Sequence, residues 1–222
     1  MSNLMQQKWN DTHLDPKFRS LYPHDSVVRF VFRHFVRDAD KHNKTVLDIG
    51  CGSGRHLKLV AENGIQAAGC DYASVGVQEA GKILEGLTLK ADLTVCDFTQ
   101  LPYADQVFDG ALAWGVLYYG NKTRMQQGIS ELHRVLKTTG VALLLLKSCE
   151  DLRYGLGREI EKNTFFMEDN QTNEQGMTLC FLDENELRDL FKDFSVVTMN
   201  KNNYYANNLS QLHSDWIIEL TK

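Results

Sequence analysis

Three acids and three glycines carry the chemistry that can be read from this chain. Asp48 stands two residues ahead of Gly50 in Thr45-Val46-Leu47-Asp48-Ile49-Gly50-Cys51-Gly52-Ser53-Gly54-Arg55, and Asp71 and Asp97 each close an apolar run further on. Glycines let a backbone turn tightly and approach a ligand with no side chain between. An acid closing the second strand lies where nucleotide folds place the ligand of a ribose, so Asp71 is the ribose candidate, with Tyr72 beside it.

The elements that must position these groups follow from periodicity. Val46, Leu47 and Ile49 read as a short buried strand, and Leu57, Val60 and Ala61 recur at helical spacing before Gly64, a C-cap candidate. Strand, glycine turn and helix in that order make a nucleotide-type site. The dinucleotide fingerprint would need a small residue at position 55, where the helix packs on the strand, and Arg55 stands there instead.

The pattern Asp48-x-Gly50-x-Gly52-x-Gly54 resembles motif I of the class I S-adenosylmethionine-dependent methyltransferases. Their cofactor has an amino acid where a dinucleotide has a pyrophosphate, and its ammonium needs carbonyls and negative charge, which the Gly50 turn and Asp48 can supply. The resemblance runs from about residue 44 to 146. It implies S-adenosylmethionine as cofactor, S-adenosylhomocysteine as product, and Asp48, Gly50, Cys51, Gly52 and Arg55 around the cofactor. It also implies Asp97 and Phe98 at the adenine, and Trp114, Gly115 and Val116 along the methionine arm, in the stretch Val107 to Tyr119 that matches motif IV. Tyr118 or Tyr119 would face the acceptor.

Glu131-Leu132-His133-Arg134-Val135-Leu136-Lys137 copies the family's E-x-x-R-V-L-K element, with Thr138 and Thr139 where a proline and a glycine are usual. In this reading His133 is a helix residue and not a base. Motif IV lacks the [DNS]-P-P-[YFW] of enzymes that methylate amines on nucleobases. The chain has only Pro16, Pro23 and Pro102.

Two appendages fall outside the motifs. Trp9, Phe18, Leu21 and Tyr22 read as apolar anchors of an N-terminal cap, followed by a turn and N-cap at Pro23 to Ser26 and an amphipathic helix through Val36. Between Lys147 and Cys180 a long connection leaves a parallel strand on the ligand side of the sheet. It reads as a lid and acceptor insert with Lys147, Tyr154, Arg158 and Asn163 as candidate contacts. The closing helix and a last hairpin, Ser195 to Met199 and Asp215 to Leu220, resemble the family's ending and would bring Tyr204, Tyr205 and His213 to the pocket rim.

The 222 residues, 43% hydrophobic and 24% charged, fit a single α/β domain able to bury a full core. The expected fold is a doubly wound, mostly parallel seven-stranded sheet of Rossmann-like methyltransferase type. Its expected divisions are a cap at 1–43, a cofactor-binding core at 44–146, the insert at 147–182 and a closing helix and hairpin at 183–222. Net charge of −5 disfavours a nucleic-acid partner, and no run reaches membrane-spanning length, so a cytoplasmic monomer or homodimer is expected. Five scattered cysteines and no cluster of acids point to no structural disulfide and no metal.

The expected activity is methyl transfer by in-line displacement to a hydroxyl or amine of a small-molecule acceptor such as a sugar or secondary metabolite. A hydroxyl would call for a base, with His213 and His24 as candidates and Tyr118 as a positioning group. The alternatives are a catalytically silent S-adenosylmethionine-binding protein and an aminopropyl transferase on the same fold. A nicotinamide dehydrogenase is disfavoured by Arg55.

Overall fold

A computed structural model describes residues 3–168 and 173–222. Met1 and Ser2 of the expected cap, and positions 169–172 of the expected insert, lie outside the described residues. The sheet grows outward from β1 (Thr45–Ile49), which is hydrogen-bonded in parallel to β2 (Gln66–Asp71) on one side and β4 (Phe108–Trp114) on the other. Beyond β2 lies β3 (Asp92–Val95), and beyond β4 lies β5 (Leu136–Ser148). Strands covered by helices on both faces read as continuous apolar runs, which is why Val46, Leu47, Ile49 and Ala111 to Ala113 carried no alternation. Helices α3 (Arg55–Glu62), α4 (Ser74–Gly86) and α5 (Lys122–Val135) make the crossovers.

The last two strands, β9 (Val196–Ala206) and β10 (Gln211–Thr221), form the hairpin that closes the sheet. β10 runs antiparallel to both β5 and β9, so seven strands stand in the order β3-β2-β1-β4-β5-β10-β9. The hairpin is longer than its apolar segments suggested, because its distal half is polar and overhangs the end of β5. The insert is ordered where it is described. It folds into β6 (Arg158–Glu161), β7 (Thr164–Phe166) and β8 (Thr178–Leu182), an antiparallel trio that joins β5 in parallel at Lys147 and Ser148. Those two residues extend past Trp114 and Leu145, the last pair between β4 and β5, and there β8 takes up the vacated edge.

Arg134 of the retained E-x-x-R element is a structural hub. Its guanidinium donates to the Leu101 and Tyr103 carbonyls and to Glu131 and Asp105, while Glu131 accepts from the Leu101 amide at 2.7 Å. The loop after β3 is thereby pinned beneath the site.

The N-terminal segment departs from expectation. It begins with a helix, α1 (Asn3–Leu14), whose polar sequence gave no apolar stripe. Phe18, Leu21 and Tyr22 are exposed and anchor nothing, whereas Trp9 and Met5 pack on the core. The cap of α2 (Asp25–Val31) is His24, whose Nδ1 accepts from the Ser26 amide at 3.2 Å. A wider π turn over Phe32–Val36 then lays the Phe35 ring where a Cβ on Gly110 would stand 2.3 Å away.

Helix α6 (Glu184–Leu190) starts with a full capping box: Asp183 accepts from the Glu186 amide at 2.9 Å and Glu186 accepts from the Asp183 amide at 3.2 Å. Burial alone would raise the Glu186 carboxyl, but Lys122, Asn163 and that amide hold it down at about 2. A carboxyl depressed on folding contributes stability above its unfolded pKa and loses it as pH falls through the folded value. Stability is therefore expected to drop between about pH 4.5 and 2. Glu186→Gln should flatten part of that fall in urea midpoints taken across the range. An unchanged acid slope would assign it to other carboxylates.

Candidate cofactor and active site

At the C-terminal ends of β1, β2 and β4 lies a cavity of about 120 Å³, walled by Ile49, Gly50, Gly52, Cys70, Asp71, Tyr72, Cys96, Phe98, Gly115 and Val116, and roofed by Trp9, His13 and Tyr119. Gly50 and Gly52 both have positive φ, +72° and +51°. A Cβ on Gly50 would stand 2.6 Å from Val116, so the glycine there keeps the cavity floor open as well as turning the chain. The Gly50 and Cys51 amides both donate to the Cys70 carbonyl, which ties the turn to the end of β2.

Asp71 is held rigidly: its two oxygens accept from the Gly52 and Ala73 amides, each at 2.8 Å. Burial pushes its carboxyl up, against the pull of those amides and of His13. The remaining lone pairs on each oxygen are available to a diol. Asp48 is buried, and neither of its oxygens has a hydrogen-bond partner. Its one described ion-pair neighbour is the His56 imidazole, Nδ1 to Oδ2 3.7 Å. An orphaned carboxylate beneath the glycine turn is what an ammonium group would complete. The residues present therefore fit S-adenosylmethionine, with Asp71 on the cavity wall as a diol acceptor and the Asp48 carboxylate behind the lining, beneath the glycine turn.

Several expected contacts are placed differently. The Cys51 side chain points inward, its Sγ 3.2 Å from where a Cβ on Gly69 would stand, so only its backbone reaches the turn. Arg55 does not line the cavity. Burial lowers its pKa and Asp48 opposes that, so it sits as a countercharge behind the glycines. Trp114 lies outside the wall, between His24 at 4.5 Å and His56 at 6.4 Å between ring centroids. Asp97 also stands off the wall, with its carboxylate bridged by Arg124 at 2.8 and 2.9 Å and by Thr99. Its neighbours Cys96 and Phe98 face the cavity instead.

The proposed bases change role. Because His24 uses Nδ1 to accept from Ser26, its neutral ring carries the proton on Nε2 and presents a donor. Burial, Arg55 and His56 all lower its pKa, which keeps it neutral. His213 is paired across the hairpin with Tyr204, and the two rings stack at 4.5 Å and 7°. Cross-strand register puts both on the hairpin face that also carries Asp215, neither lines the cavity, and Tyr204 and Tyr205 are half exposed. Within the insert, Tyr154 donates to Asn163 at 2.7 Å, Asn163 donates to Glu186, and Arg158 is exposed beside Glu168, so none of these three is a cavity contact.

Lys147 does not line the cavity either, but it is buried and anchors a cluster of charges. Directly opposite Asp215 in the β5–β10 register, its Nζ donates to Asp215 at 2.5 Å and to Asp151 at 3.3 Å, and lies 5.8 Å above the Tyr118 ring. Burial would lower its pKa, but Tyr118 and the two carboxylates raise it overall. Arg153 joins Asp151 to Glu174, completing a buried chain of charges behind the paired phenols of Tyr118 and Tyr119. Burial raises both phenols' pKa, so they are neutral hydroxyls.

Sequence reasoning missed His13, Cys70, Cys96, Asp151, Arg153 and Asp215 at or behind the site. The one local signal for His13 was its i,i+4 spacing from Trp9 on an otherwise polar helix.

Residues 46–140 match the model of a methyltransferase domain family. The chain is 33% identical over 119 residues to a probable tRNA methyltransferase 9B of Mus musculus, across 53% of this chain and 25% of that protein. It is also 33% identical over 112 residues to a demethylmenaquinone methyltransferase of Desulfitobacterium hafniense, across 47% of this chain and 43% of that protein. The chain thus spans about a quarter and less than half, respectively, of these relatives. A solved S-adenosylmethionine-dependent methyltransferase structure from Methanosarcina mazei superposes with a TM-score of 0.73 at 21% identity, covering 91% of this chain and 99% of that one.

Proposed function

We propose, for a chain that carries a class I S-adenosylmethionine-dependent methyltransferase domain, that it transfers the methyl group to a small-molecule acceptor and that Asp48, Gly50, Asp71, Phe98 and Val116 hold the cofactor. The observation that carries this reading is the rigid Asp71 acceptor on the wall of a glycine-floored cavity, with the Asp48 carboxylate, which has no hydrogen-bond partner among the described residues, beneath the same glycine turn. When bound, the cofactor supplies an already activated sulfonium methyl. The chain's task is then alignment and exclusion of water.

Tyr118 and Tyr119 are the groups best placed for that alignment. Tyr119 lines the cavity and Tyr118 is hydrogen-bonded to it from outside the lining, and both hydroxyls stay protonated, so the pair offers a donor to an acceptor and no base. His13 and Asp71 are the one imidazole and the one carboxylate among the described residues that line the cavity, and both stand at Gly52, which favours a nucleophile that needs no deprotonation before attack, such as a neutral amine, over an unactivated alcohol. The roof of Trp9, His13 and Tyr119 and the net charge of −5 both support a compact acceptor in preference to RNA. The division into cap, core, insert and closing hairpin belongs to the same proposal.

Incubating the protein with methyl-labelled S-adenosylmethionine and, separately, a low-molecular-weight cell extract and total tRNA tests this. Label is expected in the small-molecule fraction. Transfer to tRNA alone would overturn the choice of acceptor.

A further inference from the structure

The N-terminal helix brings into the cavity a side chain that none of the nucleotide-binding motifs contains. The His13 ring occupies a slot between two glycines: its Cε1 lies 2.9 Å from where a Cβ on Gly52 would stand, and its Cδ2 and Nε2 lie 3.1 and 3.2 Å from one on Gly76. Gly52 needs its positive φ for the turn. Gly76 does not, since it lies in the first turn of α4 with an ordinary helical backbone, where glycine is unfavourable by roughly 0.5–1 kcal/mol relative to alanine. Its missing Cβ leaves room for the imidazole and for the close approach of Gly52.

The ring is also held from behind. Gln6 donates to the Tyr72 carbonyl at 3.0 Å, and the Val75 amide donates to Asn10 at 3.2 Å. Arg19 donates to the His13 carbonyl at 2.7 Å while pairing with Glu79 of α4 at 2.7 Å. Helix α1 is therefore docked on the turn that leads from β2 into α4, with His13 in the roof and Asp71 in the wall of one cavity. Asp71 faces the ring from β2 and Arg19 from its own segment, and among the described hydrogen bonds none joins His13 to Asp71 directly. Burial keeps the imidazole neutral, so it offers one donor and one acceptor.

We propose that His13 is a cofactor-binding residue: its imidazole and the Asp71 carboxylate clasp the two hydroxyls of the cofactor's ribose, one hydroxyl each. The inference rests on the cofactor site proposed above. A carboxylate alone leaves one face of a ribose diol to solvent. A second hydrogen-bonding group on the covering helix adds a contact that forms only over a ribose.

Calorimetric titration with S-adenosylhomocysteine and with its 2′-deoxy and 3′-deoxy analogues tests this. In the wild type, removal of either hydroxyl is expected to weaken binding about tenfold, the scale of one good hydrogen bond. In His13→Phe, which refills the slot without a hydrogen-bonding atom, S-adenosylhomocysteine should bind about tenfold more weakly, and one of the two deoxy analogues should lose no further affinity. That analogue identifies the hydroxyl His13 holds. His13→Leu, which also removes both ring nitrogens, should give the same pattern, which keeps the test valid if the phenylalanine variant misfolds in a thermal melt.

Undiminished discrimination against both analogues in the two variants would make His13 a steric cover only and overturn the inference. A wild type that binds S-adenosylhomocysteine with no preference for ribose also overturns it, while leaving the methyltransferase site standing. A wild type that does not bind S-adenosylhomocysteine at all removes both.

Discussion

Replacing Asp71 with alanine is expected to weaken S-adenosylhomocysteine binding on the order of 100-fold, about 2.8 kcal/mol. The variant loses a charged acceptor for the ribose. It also strands the Gly52 and Ala73 amides, which both donate to that carboxylate at 2.8 Å. The second effect matters because the Gly52 amide fixes the glycine turn, so the floor of the cavity loosens together with the ribose contact. Asp71→Asn keeps one acceptor oxygen and should lose about tenfold only. Calorimetry on both variants, with circular dichroism to confirm the fold, checks this. Equal losses in the two would show that charge, and not the pair of amide hydrogen bonds, controls the site.

Replacing Lys147 with methionine is expected to cost roughly 3–5 kcal/mol, because it leaves buried carboxylates without their cation. Asp151 keeps Arg153 and the amides of Arg153 and Ser214, but Lys147 is the only described hydrogen-bond donor to Asp215. For a chain of this length the melting temperature should fall by about 6–20 °C. The double variant Lys147→Met with Asp215→Asn should recover a large part of the loss by removing the stranded charge. Failure to recover it would mean that the Lys147 side chain stabilises by packing on Tyr118 and not by charge. The same variant is expected to slow methyl transfer beyond the loss of folded protein, since Lys147 and Arg153 hold the Tyr118–Tyr119 pair at the Gly115 end of the cavity.

Much of the site was legible because motif residues act through local backbone geometry. Asp48, Gly50, Gly52 and Asp71 lie within one strand, turn, helix, strand unit, and their spacing alone brings them to one end of β1 and β2. Phe98, Gly115 and Val116 follow because parallel strands all end on the same side. The expected contacts that do not line the cavity share one feature: each has a competing partner elsewhere in the fold. Asp97 had Arg124 on the facing helix, His24 had the Ser26 amide, His213 had Tyr204 across the hairpin, and Asn163 had Tyr154 and Glu186. Each pair except His24–Ser26 is separated in sequence by more than a helical turn.

By itself the amino-acid sequence determined the nucleotide-type turn, the identity of the cofactor class and the doubly wound order of the core. Those depend on glycines, strand-ending acids and unbroken apolar runs, all local signals. Tertiary structure alone decided what closes the cavity and what charges stand behind it. Helix α1 is mostly polar and is held by tertiary contacts, Trp9 against Tyr119, His13 in the Gly52–Gly76 slot, Met5 on the core and the Gln6 and Asn10 hydrogen bonds. Lys147, Asp151 and Asp215 become one ion cluster only because β10 runs antiparallel beside β5 and sets residue 215 opposite residue 147. No periodicity encodes such a meeting, because register between strands 68 residues apart is set by the packing of the whole sheet.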